Sequence, residues 1–390
     1  MSKYDAVIIG GGVIGSCIAY YLSKCDLQVA LIEKGDIASG TSSGCDGNVL
    51  IADKKPGYDT KLAYISQNLL QELKEEIEYD FDYSQRGSIY IIESSEEWKV
   101  AEKYVKQQAQ DGYPMRMMDK KEVHEDEPYL ADDIIGGVEI DCDASLNPMT
   151  FAFGLISQAQ KNSLEVYDHT IVKDIELDGR GNISKVVTDS IDFNTGIVIN
   201  AAGVWAPEIG KMVDIDVPIK PRQGQLLVAE KTFKVGKRKI VEFGYMMAKF
   251  GDEDYKRDVD SVIENNGIAF VFEPTLADNF LIGSSRSFKG FDTSVSIEVM
   301  QGLARRALRF FPIMKDINVI RAYAGLRPYV PDHFPIVSEV KTIPGFYIAA
   351  GHEGDGIGLG PVTGKLISQM VMGEDLLLPV DKLSYTRFLN

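Results

Sequence analysis

The sequence predicts an α/β protein. A nucleotide-binding sheet, mostly parallel, is interrupted by an inserted antiparallel β-rich domain. Three observations predict this. The apolar run Tyr4–Ile9 leads directly into Gly10-Gly-Gly12-Val13-Ile14-Gly15. An apolar-periodic stretch and a second run, Val29–Ile32, follow and end on Glu33. Later segments then alternate between α/β pieces and runs of short strands.

The opening order of strand, glycine turn, helix, strand and acid is Rossmann-like. Gly10 permits the tight turn, Gly12 lets backbone approach a pyrophosphate, and Gly15 lets helix and strand pack closely. The helix N-terminus then faces phosphate, and Glu33, followed by Lys34, can accept from a ribose hydroxyl. A bare glycine pattern also occurs in ordinary βαβ turns, and the flanking strands and acid are what favour a dinucleotide.

Residues 13–23 carry apolar side chains at helical spacing. Residues 35–47 form a small, polar, Gly-rich loop that is either a surface linker or a second loop over the same cofactor, with Thr41, Ser42 and Ser43 as donors. A helix is predicted over 61–79, a strand over 87–92, helices over 96–110 and 120–127, a strand over 135–140 and a helix over 149–161. Residues 165–167, 171–177 and 185–188 read as a β-meander. Residues 192–199 read as a buried strand leading into Asn200-Ala-Ala202-Gly203-Val-Trp205, where small residues suit close backbone approach to a ligand. Strands follow over 219–229, 235–249 and 267–283, with a charged loop or hairpin tip at 251–260. A helix over 294–311, a strand over 319–327 and a strand over 345–350 complete the pattern. The glycine-dense turn Gly351–Gly360 then opens a last helix over 361–372. On this reading residues 1–80, 145–215 and 325–390 form the nucleotide domain, and 81–144 and 216–324 the inserted substrate domain.

The chain has 390 residues and a net charge of −17. That acidity argues against nucleic acid and against an anionic membrane surface. No run approaches the ~20 apolar residues of a membrane span, and the first apolar run is a strand broken by glycines, so a cytoplasmic location is expected. The four cysteines (17, 25, 45, 142) and four histidines (124, 169, 333, 352) show no metal spacing, so no metal site is expected and the thiols are read as free.

Five motifs together resemble the D-amino-acid-oxidase-like, glycine/sarcosine-oxidase-like flavin family over essentially the whole chain. They are Gly10-x-Gly12-x-x-Gly15 with Glu33, Ala201-Ala-Gly203-Val-Trp205-Ala, Arg222-Gln-Gly-Gln225, Gly325-Leu-Arg327-Pro328-x-x-Pro-Asp332-x-x-Pro335, and Gly351-His352-x-Gly354-x-Gly356. Phe272-Glu-Pro-Thr275, Phe280-Leu-Ile-Gly-Ser-Ser-Arg286 and the run through Gly364 look most like catalytic beta subunits of proline or hydroxyproline dehydrogenase and of hydrogen cyanide synthase. The resemblance implies FAD and a small amino or imino acid substrate. It implies hydride transfer from Cα to flavin N5, with electrons passed to a partner subunit. A self-sufficient oxidase releasing peroxide, an NAD-only dehydrogenase and a flavin protein without turnover are the rivals. Relatives that attach flavin covalently use a late cysteine. None follows Cys142 here, so FAD is expected to be non-covalent.

The resemblance places the substrate carboxylate at Arg327, whose fork suits bidentate grip; the plainer alternative is a structural ion pair. Tyr245 is a candidate second donor, or simply an aromatic in a half-buried strand. His352 sits either beside the flavin ring or as a cap of the turn. Gly354, Gly356, Ile357 and Gly358 are expected at the ring, where a helix start favours anionic charge. Val172 is expected near the adenine side by resemblance alone.

Overall fold

The computed structural model describes residues 2–250, 255 and 257–389. Its central sheet has six strands in the order Ile336–Glu339, Phe346–Ala350, Val198–Asn200, Ala6–Ile9, Val29–Ile32 and Leu164–Tyr167. Only the pair 336–339 with 346–350 is antiparallel. Ala6–Ile9 and Val29–Ile32 are buried at every position. Strands covered on both faces by helices carry continuous apolar runs, which made these two legible. The helix Val13–Ser23 packs on the last long helix, Gly356–Met372, and on the helix Pro148–Gln160.

Two expectations about the middle of the chain are corrected. Leu164–Tyr167 is not part of a meander but pairs in parallel with Val29–Ile32. The stretch 192–199 is not one strand. Phe193–Asn194 joins a separate four-stranded sheet with Ser2–Lys3, Ile183–Thr188 and Val172–Leu177, whereas Val198–Asn200 enters the central sheet. The chain changes sheets at Thr195, whose hydroxyl donates to the carbonyls of Asp5 and Ile197.

A second sheet has eight strands, ordered Val319–Tyr329, Lys220–Ala229, Phe280–Gly283, Val271–Pro274, Lys239–Glu242, Ser88–Ile92, Gly136–Ile140 and Met115–Asp119. All its pairs are antiparallel except 239–242 with 88–92. The strand 115–119 had no counterpart in the sequence reading. The expected strand over 235–249 is only Lys239–Glu242; the chain then turns into the helix Gly244–Phe250. Phe243, Met246 and Met247 are all buried, and a short run apolar on all sides carries no period to separate strand from helix. Residues 267–283 form a hairpin, 271–274 against 280–283, preceded by the helix Ser261–Asn265. Of the charged stretch 251–260, residues 251–254 and 256 lie outside the described residues. The last helix starts at Gly356, five residues before the expected Pro361, so its glycines are inside the first turns.

Among the described residues no helix is long and apolar enough to cross a membrane, and no group of His, Cys, Asp and Glu could hold a metal ion.

Candidate active site

Both large sheets open onto one cavity of about 910 Å³, at the upper end of the ~300–1,000 Å³ usual for ligand pockets. Its wall includes Gly10, Gly12, Val13, Ile14, Glu33, Lys34, Thr41, Ser42, Val172, Ala202, Gly203 and Trp205. It also includes Tyr245, Arg327, His352, Gly354, Gly356, Ile357 and Gly358. Two expected residues are not on it. Gly15 is buried under the turn, where a Cβ would lie 1.9 Å from the Gly10 carbonyl oxygen, so it serves packing and not contact. Ser43 is exposed, and its hydroxyl donates back to the carbonyls of Ser39 and Gly40. Three hydroxyls in a row on a short 3-10 turn cannot all face one side.

The dinucleotide end is built from backbone. Gly10 has φ +113°, and a Cβ there would sit 2.5 Å from the Ala201 carbonyl oxygen. Glu33 accepts from the amides of Gly11 at 2.7 Å and Gly35 at 2.9 Å, which fixes the turn. A carboxylate has about four acceptor sites, so Glu33 keeps room for a further donor. Ser42 Oγ accepts from the Val13 amide at 3.0 Å and ties the second loop to the first helix. Lys34 Nζ lies 3.3 Å from the centre of the Trp205 ring.

Two helix starts face this cavity without a side-chain cap, at Gly12 and at Asp355. Uncapped amides carry partial positive charge and favour an anionic ligand. Asn48 Oδ1, buried on the cavity wall, has no hydrogen-bond partner among the described residues, an acceptor that a ligand N–H would satisfy. These features fit a dinucleotide with a ring system at the far end. Cys45 also lines the cavity. Its thiol donates to the Ser42 carbonyl, and burial pushes its pKa up, which favours the thiol over the thiolate.

At the far end, the strand 319–329 pairs with 220–229 so that Arg222 faces Arg327 and Gly224 faces Gly325. A Cβ on Gly224 would come within 2.2 Å of Arg327 Nη1, so glycine opens the seat for that guanidinium. Arg327 Nη1 donates to the Ser285 carbonyl at 2.9 Å. It lines the cavity and is largely desolvated. That desolvation, with Arg286 and Arg222 nearby, holds its pKa down to about 10, against an opposing pull from Asp46.

The sequence reading assigned no role to Asp46, Lys54, Arg222 or Arg286, all of which line the cavity. Arg222 is paired with Glu353 at 2.8 Å. Arg286 lies over the Tyr245 ring, 4.1 Å from its centre, so Tyr245 is held on a helix by an arginine and not in a strand. Lys54 is buried, its ammonium 2.6 Å from both Asp53 and Asp355, which ties the 50s loop to the start of the last helix. Arg222 and Arg286 stood in quoted motifs; Lys54 and Asp46 sat in loops with no periodic signal.

His352 is buried, with Nε2 2.9 Å from Thr363 Oγ1 on the last helix. It both lines the cavity and braces the turn. Burial holds its pKa down to about 3 from 6.5. The unfolded chain therefore binds more protons in that window. The associated stability is full above about pH 6.5 and is lost as pH falls toward 3, at up to ~1.4 kcal/mol per pH unit. Buried Glu127 and Asp143, pushed up to about 7 and about 6, act in the opposite direction. We expect His352→Gln to lose less Tm than the parent between pH 6.5 and 4.5, since those carboxylates are common to both chains. Parallel Tm profiles would remove His352 from the account.

A family model described as FAD dependent oxidoreductase matches residues 5–370. The hydrogen cyanide synthase subunit HcnC of Pseudomonas protegens is 29% identical over 430 residues, covering 100% of this chain and 97% of its own. The glycine oxidase of Geobacillus kaustophilus is 27% identical, with 100% and 98% covered. A crystal structure of glycine oxidase from the same organism superposes with a TM-score of 0.88 at 25% identity over 100% of both chains. The L-proline dehydrogenase of P. horikoshii shares the fold, with a TM-score of 0.87 at 23% identity over 99% and 98%.

Proposed function

The chain belongs to the family of FAD dependent oxidoreductases, and from that premise we propose that it oxidises the Cα–N bond of a small amino or imino acid. The substrate is of proline, hydroxyproline, glycine or D-amino acid type, the FAD is held non-covalently, and electrons pass to a partner subunit. The observation that carries this is Arg327. Its guanidinium has no carboxylate within salt-bridge distance among the described residues, and it lies in the cavity that Gly10, Gly12 and Glu33 open. An unpaired arginine there is a receptor for a ligand carboxylate.

In this reading the amides of Gly12 and Ile14 hold the pyrophosphate, the Val13 amide being held by Ser42, and Glu33 holds the ribose. Lys34, Val172, Ala202, Gly203 and Trp205 flank the adenosine part. Thr41 and Ser42 hold the second loop in place, and Gly354, Gly356, Ile357 and Gly358 present the last helix to the ring. Residues 1–80, 145–215 and 325–390 carry the cofactor and 81–144 and 216–324 cover the substrate, with the strand 319–329 serving both. Bound FAD supplies the acceptor for a hydride leaving the substrate Cα. Arg327 grips the carboxylate and orients Cα. The Asp46 carboxylate, on the same wall, receives the substrate ammonium and takes a proton from its nitrogen, leaving the amine lone pair to form the C=N bond as hydride departs. Tyr245 closes the substrate side, and His352, neutral, holds the turn.

A partner for electron transfer accords with the likeness to a protein named as a subunit. Direct transfer to oxygen accords with the likeness to glycine oxidase. Peroxide formed by the purified single chain decides for the second. A cytoplasmic setting goes with either, the four cysteines being free. The test of the whole reading is an anaerobic screen of glycine, sarcosine, L- and D-proline, hydroxyprolines and D-amino acids. Bleaching of the flavin by at least one is expected, slowed in Asp46→Asn most strongly at low pH. A yellow protein bleached by none of them sinks the reading.

A further inference from the structure

Four arginines stand on the cavity wall: Arg222, Arg257, Arg286 and Arg327. Two are neutralised within the protein, Arg222 by Glu353 and Arg257 by Glu242. Arg286 and Arg327 have no carboxylate partner within 4.0 Å among the described residues. Arg327 donates to the carbonyl of Ser285, the residue just before Arg286. The Arg327 guanidinium therefore lies beside the backbone that carries Arg286. Arg286 lies over the Tyr245 ring, 4.1 Å from its centre, and makes a long contact, 3.5 Å, to the Gly267 carbonyl. A stacked guanidinium keeps its N–H edge for a ligand. Arg327 is desolvated and feels the like charge of Arg286, an arrangement that costs free energy unless an anion answers it.

The charges can be matched one by one on the reading above, on which this rests. A zwitterionic amino acid brings an ammonium for Asp46 and one carboxylate for Arg327. Nothing in a monocarboxylic amino acid answers Arg286. The geometry points to a substrate with a second carboxylate: Arg286 is the specificity-determining fork of a site for a dicarboxylic amino or imino acid.

The test uses the FAD-loaded enzyme, its Arg286→Gln variant, and Arg286→Lys, which keeps the charge but loses the planar fork. Anaerobic flavin reduction is compared for aspartate, glutamate and iminodiacetate against alanine, proline and glycine. Binding of succinate and of propionate, neither an amine, is read from perturbation of the flavin spectrum. At least one dicarboxylic compound is expected to outperform the monocarboxylic set by about thirtyfold or more in rate over dissociation constant. Arg286→Gln erases that margin, lowering the dicarboxylic values far more than the monocarboxylic ones, and Arg286→Lys falls between. Succinate binds more tightly than propionate only in the parent. Equal loss for both classes would mean that Arg286 shares the single carboxylate with Arg327, and overturns the proposal, as does a variant indistinguishable from the parent. If no amino acid reduces the flavin, the amino-acid reading fails, and the succinate arm still decides Arg286.

Discussion

Arg327→Leu lowers kcat/KM for the substrate amino acid by between about a hundredfold and a few thousandfold, the range for truncating one partner of a desolvated charge pair, ~3–5 kcal/mol. The same substitution leaves Tm unchanged or raises it. The folded protein disfavours this guanidinium, whose pKa is held down to about 10 by burial and by Arg286. Removing it relieves that cost, and leucine fills part of the seat that Gly224 leaves. A structural ion pair behaves the other way, losing stability with little loss of catalysis. Arg327→Lys restores charge without the fork and recovers only part of the rate. Steady-state kinetics and a melting curve on the same preparations separate the two cases. Unchanged kcat/KM with a lowered Tm removes Arg327 from the substrate site.

Gly15→Ala is expected to be among the most damaging single methyl groups in the chain. A Cβ at Gly15 meets the Gly10 carbonyl oxygen at 1.9 Å. The obstacle is backbone, in a turn already fixed by the Glu33 carboxylate, so the helix 13–23 must move off the strand Ala6–Ile9. Overpacking of a well-packed interior costs about 1–3 kcal/mol and sometimes more. Here the displaced helix start is also the one that faces the cofactor. We expect loss of bound flavin from the purified protein and a Tm lowered by several degrees or no folded protein at all. Gly196→Ala is the control, because a Cβ there meets nothing within 4 Å. Equal flavin content and Tm in the two variants would show that the turn tolerates the methyl group.

The dinucleotide end was legible because its parts are contiguous. Turn, helix and acid lie within residues 10–33, and each has a local backbone reason to be there. The motif at Gly325-Leu-Arg327 lies on the cavity wall. The charge arrangement around it was not legible. Arg222, Arg286 and Arg327 come from separate stretches, and their meeting depends on the pairing of 220–229 with 319–329 and with 280–283. Lys54 and Asp355 meet across most of the chain length. Tyr245 was placed on a strand because Phe243-Gly-Tyr-Met-Met247 is apolar without a period. Ser43 was grouped with its neighbours by composition, whereas a tight turn must send one of three consecutive hydroxyls outward.

The loop 41–47 touches the strand 319–329 at three places. Thr41 Oγ1 donates to the Leu326 carbonyl at 2.7 Å, Tyr323 donates to the Cys45 carbonyl at 3.1 Å, and a Cβ on Gly325 would meet the Gly44 carbonyl oxygen at 2.0 Å. One end of this join is tied to the glycine turn through Ser42, and the other carries Arg327. On the proposed function, the separation between the cofactor and Arg327 is thus set like a fixed gauge, and an opening that admits substrate would hinge elsewhere in the wall.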